Sequence, residues 1–151
     1  MYHPGVRYAI IQSLNERHRA DLLRLYRGEW WSRNRSEADV RRMLDGADLV
    51  LVGVEDEANG ELVGFTRVLT DGVFKAIVFD VIVAPDRRGD GIGRMLVEAA
   101  LAHARVRDVE HVELYCRPQH VPFYEKWNFG CVPADLRFMR RVRPDRRESL
   151  P

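Results

Sequence analysis

Residues 79–96 constrain this chain more than any other stretch. An apolar strand, Phe79-Asp80-Val81-Ile82-Val83, passes through Ala84-Pro85 into Asp86-Arg87-Arg88-Gly89-Asp90-Gly91-Ile92-Gly93-Arg94, and that bend opens straight into a helix-periodic run. Branched apolar residues favour an extended chain, and the proline closes it. From Gly91 onward, Ile92, Met95, Leu96, Ala99, Ala102 and Val106 recur at helical spacing, which predicts a helix over 91–106. The first turn of a helix exposes backbone N–H groups that lack intrahelical partners, at the positive end of its dipole. Gly89, Gly91 and Gly93 keep side chains out of that turn, while Arg87, Arg88 and Arg94 add fixed charge. The stretch reads as a cradle for a phosphate or pyrophosphate. A P-loop would need Lys-Ser/Thr after the last glycine, where Arg94-Met95 stands, and a dinucleotide fingerprint would need glycine at Arg94.

The rest of the chain supplies the scaffold. Residues 8–12 read as a first strand, and Asn15 caps a helix over 16–31 with Leu22, Leu23, Leu25 and Tyr26 at helical spacing. Ser36, followed three residues on by Asp39, caps a second, short helix that Gly46 stops. Strands are predicted at 49–54, 62–69 and 73–83, joined by Asn59-Gly60 and Asp71-Gly72 turns into an antiparallel meander. After the 91–106 helix come a strand at 112–116, a short helix ending near Trp127, and strands at 129–132 and 136–142. Asn128 suits a left-handed C-cap, and 144–151 reads as a frayed tail. The expected fold is α+β: a mixed, mostly antiparallel sheet of six to seven strands with helices on both faces.

Composition narrows the function. At 151 residues, one domain over 1–151 with its core at about 8–142 is expected. A net charge of +1 argues against a protein that coats nucleic acid. Apolar runs are too short to span a membrane, and the N-terminal residues lack an apolar leader segment, so a cytoplasmic location is expected. Cys116 and Cys131 make neither a disulfide framework nor a four-ligand metal site, so no metal is expected, and Cys116 reads as a buried thiol. The arginines at 137, 140, 141, 143, 146 and 147 read as a solvated edge strand and tail rather than a nucleic-acid arm.

The pattern Arg88-x-x-Gly91-x-Gly93 after a strand ending Val83-x-Pro85 resembles the acyl-CoA-binding motif of the GCN5-related N-acetyltransferase (GNAT) superfamily. The order of elements over 8–142 is similar to that family's plan. Phe123-Tyr124-Glu125-Lys126-Trp127-Asn128-Phe129 resembles its Phe/Leu-Tyr-Glu-Lys-x-Gly-Phe segment. The resemblance implies a fourth strand splayed from the fifth, with acetyl-CoA as co-substrate in the opening. It implies pantetheine bonding to the backbone of Val81 and Val83, with Ile82 between them. Diphosphate would meet the N–H groups of Arg88, Gly89, Asp90, Gly91, Ile92, Gly93 and Arg94. It makes Tyr124 a candidate general acid, a phenol able to protonate a departing thiolate. A primary amine, of a small molecule or an exposed peptide, would be the acceptor and would need a base. Asp80 is one candidate, with Glu29 and His120 as rivals, and Trp31, rather than Trp30, is expected in the acceptor pocket. Arg117 and His120 replace residues usual in the family. The alternative is a non-catalytic acyl-CoA-binding module on the same fold. Edge strands near the C-terminus allow a homodimer.

Overall fold

In the computed structural model, which describes residues 3–145, five strands form one sheet. They are Tyr8–Ile11 (β1), Leu49–Asp56 (β2), Glu61–Thr70 (β3), Lys75–Val83 (β4) and His111–Glu113 (β5), in the spatial order β1-β2-β3-β4-β5. Each of the first four is antiparallel to its neighbour, and β5 runs parallel to β4. The helices are Glu16–Arg27 (α1), Glu37–Leu44 (α2), Ile92–Ala102 (α3) and Val121–Glu125 (α4).

Alternation along β3 places the helices. Gly64 faces α3 so closely that a Cβ there would lie 2.5 Å from Ile92 Cγ2. The next residue, Phe65, points to the other face and meets Tyr26 of α1 edge-to-face, with centroids 6.2 Å apart. The sheet is therefore sandwiched between α1 and α3. Leu22, Tyr26, Val52, Phe65 and Leu96 are fully buried at these two contacts. Asp21 anchors α1 to the sheet, accepting from Leu62 N–H at 3.0 Å.

The capping residues behave as the sequence predicts. Asn15 accepts from His18 N–H at 2.9 Å and Ser36 from Asp39 N–H at 3.1 Å. Strand β4 starts later than expected because Asp71 accepts from the N–H groups of Val73, Phe74 and Lys75. Those bonds draw 73 and 74 into the turn. Asn128 takes φ +64, the left-handed C-cap conformation expected of it.

Three expectations need correction. Helix α1 ends at Arg27, capped by Gly28, instead of reaching residue 31. Helix α3 ends at Ala102, because His103 turns extended (ψ 139°), instead of reaching 106. Residues 129–132 and 136–142 form no strand, so the sheet has five strands instead of six to seven. A strand needs an edge to pair with, and β5 stops at Glu113. Leu136, Phe138 and Met139 are left exposed.

Candidate active site

The site begins where β4 and β5 part. They pair only at Lys75–His111, Ala76–Val112 and Ile77–Glu113, so residues 78–83 of β4 run on without a β5 partner. Ala84 N–H donates to Val63 C=O on the β3 side at 2.8 Å. Backbone groups alternate in direction along a strand, so the polar groups of Val81 and Val83 face the opened edge, with Ile82 turned back to β3. The Val83 carbonyl accepts there from Arg88 Nε, at 3.4 Å. A free row of strand N–H and C=O groups can be extended by an amide-containing chain.

At the top of this opening the chain makes its bend. Gly89 and Gly91 adopt φ +90 and +83, the left-handed region that glycine enters without strain. A Cβ at Gly91 would meet nothing within 4 Å, so the space over the bend is open. The first intrahelical bond of α3 runs from Met95 N–H to Gly91 C=O at 3.1 Å, and no side chain caps the helix. The N–H groups of Ile92, Gly93 and Arg94 thus precede the bonded ladder and face the bend. The Ile92 side chain itself is buried, 1% exposed. Gly93 instead makes room for a neighbour, since a Cβ there would come within 3.3 Å of Phe123 Cζ and 3.8 Å of Val83 Cγ2. That close approach seats α4 against both the bend and the open edge.

The loop's side chains are largely spoken for. Asp90 turns inward and accepts from Tyr8 Oη at 2.5 Å, His3 Nδ1 at 2.8 Å and His3 N–H at 3.2 Å. The Tyr8 hydroxyl first, and His3 second, hold its carboxyl below the usual range. Arg87 joins the same anchor, 3.0 Å from Asp56 Oδ2. Arg88 pairs with Glu29 at 3.0 Å, and Arg94 with Glu98 at 2.7 Å. The anchor from the N-terminal segment has no signal in the sequence, since its partners lie more than 80 positions apart.

Asp80 sits at a β-bulge, where Thr66 of β3 faces two residues of β4, and its φ is +56. Its side chain is 5% exposed and accepts from Arg67 Nε at 2.5 Å, Arg35 Nη1 at 2.8 Å and Tyr26 Oη at 2.8 Å. Burial alone would raise its pKa, but Arg35 and then Arg67 pull it below the usual carboxylate range. This environment suits an anchor and works against a proton acceptor.

Tyr124 sits differently. Its ring packs edge-to-face on Phe123 and Phe129, with centroids 4.9 and 6.0 Å away. Burial, and then nearby Cys116, push its phenol up to about 12. No hydrogen-bond partner for its hydroxyl exists among the described residues. Cys116 is an exposed free thiol just past β5, not the buried one expected. His120 is exposed at the end of a 3-10 turn before α4.

The core-side tryptophan is Trp31, not Trp30. With α1 ending at Arg27, helical phase no longer governs residues 30 and 31. Trp31 packs on Tyr26 against the core. Trp30 is 38% exposed, with the Arg117 guanidinium 4.0 Å over its ring.

A splayed strand pair with a glycine-cleared helix start at its mouth is the architecture of acyl-CoA transferases. The chain belongs to the acetyltransferase (GNAT) family, whose model matches residues 11–129. Among curated relatives, serotonin N-acetyltransferase 2, chloroplastic, of Oryza sativa subsp. japonica is 38% identical over 108 residues, covering 70% of this chain and 53% of that protein. The chain spans about half the length of such relatives. A putative GNAT acetyltransferase from Xanthomonas campestris pv. campestris shares the fold at TM-score 0.76 and 23% identity, covering 91% of this chain and 94% of that one. So does AAC(6')-Iy, in complex with a CoA-S-monomethyl-acetylneamine bisubstrate analogue, at TM-score 0.67 and 16% identity, covering 90% and 99%.

Proposed function

We propose that the protein transfers the acetyl group of acetyl-CoA directly to a primary amine, either on a small molecule or at an exposed peptide amino group. The observation that carries this is the Tyr124 hydroxyl, unpartnered among the described residues, on a helix seated by Gly93 against the opened edge of β4. Acetyl-CoA fits what is present. The pantetheine amides would extend β4 at Val81 and Val83. The diphosphate would lie on the N–H groups from Gly89 to Arg94, with Arg88 close by.

The co-substrate supplies a thioester carbon open to attack. The amine nitrogen forms a bond to that carbon, the C–S bond breaks, and the sulfur leaves with the electron pair. Tyr124, held protonated at neutral pH by burial, gives its proton to the sulfur. The amine loses one proton, so the products are an amide and a free thiol, and that proton restores the phenol overall. An N–H at the open edge near Val81 would polarise the thioester oxygen. Asp80, locked between two guanidiniums, does not take the amine's proton. Glu29 and His120 remain the candidate bases, alongside solvent.

The test is thiol release from acetyl-CoA over a panel of amines. Tyr124→Phe should lower kcat by about 100-fold, within the usual range for a positioned acid, with little change in KM for acetyl-CoA. Tight binding without thiol release on any amine would instead establish an acyl-CoA-binding module.

A further inference from the structure

We infer that the acceptor is a small amine that also carries an anionic group, a carboxylate or a phosphate, and that Arg117 reads that group. This rests on the acetyl-transfer reading and narrows it. The juxtaposition is a run of aromatic rings and guanidiniums on the α1 side of the opening. Arg117 lies 4.0 Å over Trp30, and the neighbouring Trp31 faces Arg35 at 5.4 Å. Arg35 and Arg67 share the single carboxylate of Asp80. Arg67 lies 4.7 Å over Phe79, and Phe79 meets Tyr115 edge-to-face at 6.2 Å. Tyr115 stands two residues before Arg117 in the chain.

Charge along this run does not balance among the described residues. Arg35 and Arg67 share the Asp80 carboxylate, and Arg117 over Trp30 and Arg140, 5.7 Å over Tyr115, add two further guanidiniums. Glu29, beside Trp30, is already matched by Arg88. Neither Arg117 nor Arg140 makes an ion pair among the described residues. Trp30 and Tyr115 are 38% and 52% exposed, so the end of the run that carries Arg117 and Arg140 faces solvent.

An unsubstituted ammonium approaching this rim meets like charge. An amine with its own anionic group offsets that repulsion. A guanidinium over a ring face still has N–H groups for a carboxylate or phosphate, which it can hold by two parallel bonds. The surplus positive charge also favours the neutral form of the amine, which is the form that attacks. Arg117 contributes most of the discrimination because its charge has no counter-ion among the described residues, whereas Arg35 and Arg67 are committed to Asp80.

The experiment compares kcat/KM within two matched pairs, tyramine against tyrosine and glucosamine against glucosamine 6-phosphate, in wild type, Arg117→Gln and Arg117→Lys. We expect wild type to favour the anionic member of at least one pair by about tenfold or more, the scale of one charge-assisted hydrogen bond. The pair showing it tells carboxylate from phosphate. Arg117→Gln should bring that ratio to about one by raising KM for the anionic acceptor, with KM for acetyl-CoA unchanged, and Arg117→Lys should keep part of the preference. Equal or reversed preference in wild type, a ratio that survives Arg117→Gln, or a rise in the acetyl-CoA KM instead, overturns the inference alone. If no amine, in these pairs or in the wider panel, releases thiol, the acetyl-transfer reading fails and this inference falls with it.

Discussion

Asp80→Asn separates an anchor from a base. The substitution keeps the side-chain shape, and asparagine tolerates the positive φ of this position, so no backbone strain is added. What changes is charge: Arg35 and Arg67 lose their shared carboxylate, and Tyr26 Oη loses a charged acceptor. Removing one partner of a fully buried pair costs about 3–5 kcal/mol. The Arg35 side chain is 30% exposed, so water recovers part of that, and about 2–4 kcal/mol is expected. For a chain of this size, that is a fall in Tm of roughly 5–15 °C. The sign with pH follows from the depressed carboxyl. A group whose folded pKa lies below its unfolded value near 3.9 stabilises fully above that value, and loses its contribution as pH falls through the folded pKa. The gap between wild type and Asp80→Asn should therefore be widest above about pH 5 and narrow below about pH 4. Urea unfolding across pH 3–8 measures it. An unchanged stability, together with loss of kcat and of the basic pKa in the pH–rate profile, would sink the anchor assignment and restore Asp80 as base.

Other outcomes follow from the same geometry. Gly91→Glu should weaken acetyl-CoA binding by more than tenfold, since it puts a carboxylate where diphosphate would lie, while the left-handed φ costs about 1–2 kcal/mol of stability; calorimetric titration reads the first and urea unfolding the second. Gly64→Ala forces a methyl against Ile92 Cγ2 and should destabilise by about 1–3 kcal/mol. Pairing it with Ile92→Ala should recover part of that loss, and strict additivity of the two would refute the contact.

Local signals are legible wherever one stretch of chain decides its own conformation. The cap residues Asn15 and Ser36, the meander with its turns, and the Gly89–Gly93 bend before a helix are all readable, because neighbours in sequence make those contacts. The family resemblance implies the splay of β4 from β5, and the pairing at 75–77 with 111–113 shows where it starts. The end of α1 falls at Gly28 although the apolar pattern continues past it, and Trp31 rather than Trp30 then packs against the core.

The sequence by itself determined that a glycine-cleared helix start follows a buried strand, because glycine's freedom and helix periodicity are properties of adjacent residues. Only the tertiary structure decided what Asp80, Asp90 and Arg117 do. Asp80 became an anchor through Arg35 and Arg67, Asp90 a tether through His3 and Tyr8, and Arg117 a guanidinium over Trp30 with no ion pair among the described residues. A carboxylate or guanidinium takes its character from whichever charges and rings lie within a few ångströms. In this fold those neighbours come from segments between 13 and 87 positions away.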